Sequence, residues 1–124
     1  MTVPAPDPSE LADLVRRNVV ELFNSDDDAQ RRELIESLYH HDAEFYDAEG
    51  SSLGHDGIAA TVGALHAKST GLTFSVSVEP AVVHDLARIS WRLSPPDAPP
   101  VVSGMDVAIV RDGKIATLYT FLDS

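Results

Sequence analysis

The chain reads as an α+β domain, three N-terminal helices followed by a curved antiparallel sheet. Three observations predict this. Helical apolar spacing fills the first half of the chain, and period-two alternation fills the second. Turn signals punctuate the second half at short intervals. Helices precede strands instead of alternating with them, which favours segregated layers over a parallel sheet.

Residues 1–8 read as a disordered lead, and residues 9–124 as one domain. The first helix opens on Asp7 as N-cap and Pro8 as first helical residue, with Glu10 placed to close a capping box. Leu11, Leu14, Val15, Val19, Leu22 and Phe23 follow at helical spacing, to an end near Asn24. Asp26, Asp27 and Asp28 open the second helix, where acids complement the helix dipole. Leu34, Ile35, Leu38 and Tyr39 form its apolar face, and His40, His41 and Asp42 its exit. Residues 43–47 are short and extended, and Gly50, Ser51, Ser52 and Gly54 read as a loop. A third helix covers roughly 56–68, with Gly71 as its terminator.

Everything beyond is strand. Leu72, Phe74, Val76 and Val78 alternate with polar residues. A His84-Asp85 turn joins the next two extended runs, and four prolines make 94–100 a loop. Residues 101–110 and 115–122 form a hairpin around Arg111-Asp112-Gly113-Lys114. Of the two turns this loop allows, the three-residue form with Gly113 left-handed places Asp106 opposite Leu118 and beside Thr120. Val102, Ala108, Leu118 and Leu122 share one parity, and Val107, Ile109, Ile115 and Phe121 the other. A sheet apolar on both faces is covered on both. Three helices cover one face, so a second copy of the chain is expected on the other, giving a homodimer.

Composition narrows the function. The chain has 124 residues, no cysteine and a formal net charge of −11. Without thiols there are neither disulfides nor thiolate metal sites. The acidity disfavours nucleic acid and anionic membranes as partners. No run approaches the roughly 18 apolar residues of a membrane span, and Met1 to Pro8 lacks the pattern of a signal peptide. A cytoplasmic location is the expectation. The five histidines do not have the spacing of a ligand set, and His40 and His41 should point apart on a regular backbone. Neither metal nor cofactor is expected. Nucleophile elbow, P-loop and dinucleotide fingerprint are absent.

Two carboxylates stand out. Asp106 lies mid-strand with the small residues Gly104 and Ala108 at its parity neighbours, which leaves room for a ligand. Buried and unpaired, it should have a raised pKa. The alternative is an edge position in water, or pairing with Arg88 or Arg92. Asp47 ends an extended segment before a glycine-containing loop, a place from which a side chain can reach a substrate. Its alternative is a plain turn-initiating role. Trp91 and Phe74 read as core or pocket wall.

Tyr39 through Asp47, Gly54-His55-Asp56-Gly57-Ile58, and Gly104 through Ile115 together resemble the nuclear transport factor 2-like superfamily, in its SnoaL-like polyketide cyclase and ketosteroid isomerase branch. The resemblance covers roughly residues 9–123. It implies a cone-shaped fold, a pocket between sheet and helices, and dimerisation through the outer sheet face. Asp47 falls where ketosteroid isomerases carry their catalytic base, and Asp106 where they carry the protonated acid of the oxyanion hole. The tyrosine that those enzymes place on the first helix falls at Val19. Strand parity and the resemblance together give a substrate pocket of Val19, Phe23, Trp91, Ala108, Leu118, Thr120 and Leu122, with Asp47 at the rim.

The expected function is carboxylate acid/base chemistry on a small apolar carbonyl compound, by isomerisation or aldol-type cyclisation. Within enzymes the alternative is epoxide hydrolysis through Asp106. Outside them it is a catalytically silent ligand-binding or dimerisation module. An enzyme requires Asp47 and Asp106 to face one cavity; a silent module does not.

Overall fold

The computed structural model describes residues 6–123. Three helices pack on one face of a six-stranded curved sheet of order β2-β1-β6-β5-β4-β3. The expected lead at 1–8 lies outside the described residues up to position 5, and the helix begins at Pro8.

Helix α1 spans Pro8–Arg17. Asp7 caps it, accepting from the Ser9 N–H at 2.9 Å and the Ser9 hydroxyl at 2.8 Å. Ser9 thus answers the cap where Glu10 was expected to. The helix widens into a π-helical segment, Asn18–Leu22, closed by Phe23 N–H donating to Asn18 C=O at 3.1 Å. Asn18, Val19 and Leu22 are buried there. Helix α2 is Asp28–Leu38, capped by Asp27, whose carboxylate accepts from Gln30 N–H at 2.9 Å. The acidic run is therefore partly a cap, as its position suggested.

Tyr39 does not belong to α2. It is the first residue of β1, Tyr39–Asp47, and is completely buried. The expected loop at Gly50 is instead a short edge strand, β2 Gly50–Leu53, antiparallel to β1. Helix α3 runs Gly54–Lys68, followed by Gly71 at a φ of +82°. Strands β3 Thr73–Val83 and β4 Leu86–Ser94 form one long hairpin. Two register breaks in β3, between Val76 and Val78 and between Val78 and Ala81, bend it. Strands β5 Val102–Arg111 and β6 Lys114–Leu122 complete the sheet. All pairings are antiparallel except β1 with β6, which is parallel. That pair joins the helical half of the chain to its final strand.

The β5–β6 register departs from expectation. The turn is the two-residue form: Arg111 faces Lys114, with Asp112 at φ +51° and Gly113 at +77°. A bulge follows at once, so Val110 faces Ile115 but Ile109 faces Thr117. The extra residue moves the pairing one position beyond the plain two-residue register, from Tyr119 to Thr120 opposite Asp106, and two positions from the expected Leu118. Asp106 lies opposite Thr120, and Leu118 opposite Ala108. The bulge also turns Ile115 inward, fully buried, against the parity read from sequence.

The core fills the space between sheet and helices. Leu11, Val15, Leu22, Ile35, Leu38, Ile58, Ile89, Ile115 and Leu118 are all within 1 % of complete burial. On the outer sheet face Val78, Val83, Tyr119 and Phe121 stay exposed, and Tyr46 stacks on Tyr119 with ring centroids 5.2 Å apart. No helix among the described residues is long and apolar enough to cross a membrane.

Burial fades along β6, so equal substitutions should have unequal effects. Leu118→Ala should lower unfolding free energy by about 2–5 kcal/mol, because it leaves a cavity in packed core. Leu122→Ala, at a position 54 % exposed, should lower it by less than about 1 kcal/mol. Chemical denaturation of both variants measures the contrast.

Candidate active site

A cavity of about 470 Å³ opens between the inner sheet face, the π-helical segment that follows α1, and α3. That is within the ordinary range for a small-molecule site. Val19 and Phe23 come from the first helix, and Thr61, Ala64, Leu65 and Lys68 from α3. The β1–β2 hairpin supplies Phe45 and residues 47–52, and the remaining wall is Phe74, Trp91, Leu93, Val102, Asp106, Thr120 and Leu122.

Phe23 is the hub of an aromatic wall. Its ring stacks on Phe45 at 6.3 Å and meets Phe74 edge-on at 5.7 Å, and Phe74 meets Trp91 edge-on at 5.3 Å. Rings of this kind offer large apolar surface with few rotamers to freeze.

Asp106 sits at the end of this wall, 4 % exposed. Its Oδ1 accepts two hydrogen bonds, from Trp91 Nε1–H at 3.0 Å and Thr120 Oγ1–H at 2.9 Å. Among the described residues its Oδ2 has no hydrogen-bond partner. One carboxyl oxygen is anchored while the other makes no hydrogen bond, on a residue that lines the cavity. Arg88 and Arg92 are exposed on the alternate residues of β4, so neither is the partner that the ion-pair reading required.

Burial pushes the Asp106 carboxyl up from the usual 3.8 to about 6. The hydrogen bonds from Trp91 and Thr120 act in the opposite direction, and Asn18 adds a smaller pull their way. Desolvation wins because two neutral donors on one oxygen do not replace a hydration shell.

Gly104 makes the Trp91 bond possible. It faces Trp91 across β4–β5, and a Cβ there would lie 2.6 Å from Trp91 Cζ2 and collide with the Phe121 carbonyl. Its smallness accommodates the indole, where the sequence suggested room for a ligand.

Asp47 lines the same cavity at its hairpin edge. Its Oδ1 accepts from Glu49 N–H at 2.9 Å and Gly50 N–H at 3.0 Å, so Asp47 also holds the hairpin turn. The turn-initiating role is thus observed in a residue that also lines the cavity. Val19, Phe23, Trp91, Thr120 and Leu122 line the cavity as well. Ala108 and Leu118 do not. Both are completely buried, packed in the core next to Asp106 on its own face of the sheet.

Sequence reasoning passed over the α3 wall and the β1–β2 hairpin as lining, because neither lies beside Asp106 until the sheet curves. It also passed over Asn18 and Tyr39. Tyr39 Oη–H donates to Asn18 Oδ1 at 2.6 Å, and both residues are completely buried. A signal was present, since Asn18 is a polar residue on the apolar helix face, four after Leu14 and four before Leu22. The register break in β1 after Tyr39 has a further effect. His40 and His41 were expected to point apart, yet potential ligand atoms of His40, His41 and Asp42 lie within 4.8 Å of one another. Arg111 occupies this cluster: its guanidinium meets Asp42 at 3.3 Å, and its carbonyl meets His40 Nε2.

Fold and cavity define a class: a cone-shaped α+β domain with an acid anchored at the end of an apolar pocket. The chain belongs to the SnoaL-like domain family, whose match covers residues 15–118. Comparison with the curated proteins finds no match. Among solved structures, the chain is similar to a candidate isomerase of the SnoaL-like family from Agrobacterium tumefaciens strain C58. Identity is 27 %, the TM-score is 0.86, and 94 % of this chain and 99 % of that one are covered. It shares its fold with a candidate SnoaL-like polyketide cyclase from Jannaschia sp. CCS1, at 16 % identity and a TM-score of 0.78 over 99 % of this chain and 92 % of that one. A nuclear transport factor 2-like protein of unknown function from Mesorhizobium loti has the same fold, at 21 % identity and a TM-score of 0.71 over 98 % of both chains.

The state of Asp106 has a stability consequence. An acid with a raised folded pKa destabilises the fold as pH climbs from about 3.8 to about 6, and the cost is constant above that. It amounts to about 3 kcal/mol at neutral pH. Asparagine keeps an oxygen for Trp91 and Thr120 and carries no charge. Asp106→Asn should therefore raise the melting temperature at pH 7, and the gain should shrink as pH falls below about 6. Thermal unfolding across that range checks the sign; a loss of stability at pH 7 would mean that the anion is held favourably.

Proposed function

We propose that the protein is an isomerase or cyclase that moves a proton next to a carbonyl group of a small, largely apolar compound. The observation that carries this reading is the pairing of Asp106 and Asp47 on one aromatic-walled cavity, with Asp106 Oδ2 unengaged. The similar Agrobacterium structure, described as a candidate isomerase, supports the same class.

The substrate lies along the Phe23, Phe45, Phe74 and Trp91 wall, its carbonyl oxygen toward Asp106. Asp47, ionised, takes a proton from the carbon next to the carbonyl. The electron pair moves onto oxygen, and Asp106 Oδ2–H hydrogen-bonds the enolate as it forms. Returning the proton to another carbon gives the isomer. Attack of the enolate carbon on a second carbonyl within the molecule gives the ring. Each carboxyl contributes about 10² to 10⁴ in rate by such positioning. Because Asp106 titrates at about 6, the donor form predominates only below that pH.

Exchange of α-hydrogens of a cyclic β,γ-unsaturated ketone in deuterated buffer tests this, followed by NMR with the appearance of the conjugated enone. Exchange should exceed the buffer rate, decline as pH rises through about 6, and fall by at least about 10² in Asp47→Asn. Bound ketone without exchange would overturn the enzymatic reading and leave a ligand-binding module.

We also propose a homodimer through the outer sheet face, supported by the exposed Val78, Tyr119 and Phe121 beside the Tyr46–Tyr119 stack. Large apolar side chains exposed on one sheet face are often covered by a partner. Light scattering at micromolar concentration should give twice the chain mass, and Phe121→Arg should halve it. A monomer mass for the unmodified chain would refute the assembly.

A further inference from the structure

We propose that Asn18 is a positioning residue for Asp106: its amide, clamped by Tyr39, supplies the donor that takes the second carboxylate oxygen once the acid has lost its proton. This rests on Asp106 being the acid of the site.

The clamp is geometric. Tyr39 Oη–H donates to Asn18 Oδ1 at 2.6 Å, with both side chains completely buried. With its oxygen held, the planar amide has its NH₂ group fixed on the other side. That Nδ2 is buried and completes no hydrogen bond, an uncommon state for an amide in a packed interior. Asp106 acts on this pair: its negative field raises the Tyr39 phenol pKa, and Asn18 lies close enough to draw the Asp106 carboxyl pKa down. Asp106 in turn has Oδ1 doubly engaged and Oδ2 unengaged. One buried idle donor thus lies within reach of a carboxyl that has one oxygen without a donor. The π-helical segment begins at Asn18 itself, and such widened turns are frequent at functional sites.

The two protonation states then divide the work. With a proton on Oδ2, Asp106 is a donor and turns that proton toward the cavity. Without it, Oδ2 becomes an acceptor, and Asn18 Nδ2–H takes the place of the missing proton. Asn18 thereby sets the pH at which the acid changes state, and Tyr39 keeps the amide from presenting its oxygen, which would repel the anion. Tyr39 suits this role because burial and the Asp106 charge hold its phenol well above the ordinary pKa. It remains a donor throughout the physiological range.

The test is a carbon-13 NMR titration of the Asp106 carboxyl in the intact chain, which needs no substrate. The unmodified protein should titrate at about 6. Asn18→Leu, similar in size but without a donor, should move that value up by about one unit or more. Tyr39→Phe leaves Asn18 in place but frees its amide, and should give a smaller upward shift. Leu14→Ala, a core truncation on the same helix, should lower the melting temperature and leave the titration unchanged. An unchanged or lowered pKa in Tyr39→Phe overturns the proposal, even if Asn18→Leu fails to fold. The outcome is separate from catalysis. Ketone exchange with an unmoved titration would sink the role of Asn18 alone, and a shifted titration without exchange would sink only the enzymatic reading.

Discussion

The site depends on one buried carboxyl held by three strands. Asp106 comes from β5, Trp91 from β4 and Thr120 from β6, and both donors converge on a single oxygen. This arrangement constrains its surroundings. Trp91 reaches Asp106 only because Gly104 lets the indole lie across β5. Thr120 reaches it only because a bulge shifts β6 by one residue. With the two-residue turn and no bulge, Tyr119 would lie opposite Asp106, and the hydroxyl that now anchors it would be on the other side of the sheet.

The anchor is asymmetric, and that asymmetry gives the site its character. A carboxyl with both oxygens solvated by protein donors would be a structural anion of low pKa. A carboxyl with neither anchored would cost more to bury and would not be oriented. Asp106 lies between these limits, with its carboxyl pushed up to about 6 and one oxygen left without a donor. The surrounding core offsets the cost. Helices α1 and α3 and the inner sheet face bury a continuous apolar layer around it, and transfer of such surface from water is the main favourable contribution to folding.

Curvature is what makes a cavity in place of a flat interface. The breaks in β3 and the bulges in β1 and β6 all occur where strands bend around the helices. The same bends bring the β1–β2 hairpin and the last turn of α3 to the mouth, opposite Asp106. Asp47 gains its place from this closure. Its carboxylate holds the hairpin turn and faces the pocket from the same position, so turn geometry and site geometry are coupled through one side chain.

Much of this was legible in the residues. Helical spacing from Leu11 to Leu22, the Asp7-Pro8 start and the alternation in the later strands determine the element order, because local backbone preference and apolar period need no tertiary information. Asp106 announced itself as an acid in an apolar strand, and its raised pKa followed from burial alone. What the sequence could not decide was register and reach. A bulge at Ala116 has almost no local signature, yet it chose Thr120 over Tyr119 as the residue facing Asp106, set Ile115 inward against the parity of the strand beyond it and put Leu118 in the core. Tyr39 reads as the end of a helix by spacing, but pairing with Ile115 of β6 makes it a strand residue. Asn18 was visible as a polar residue on an apolar face, but its partners lie 21 and 88 positions away in the chain. Contacts at such separations exist only after the sheet has curved over the helices, so packing alone assigned Asn18 its place beside Asp106.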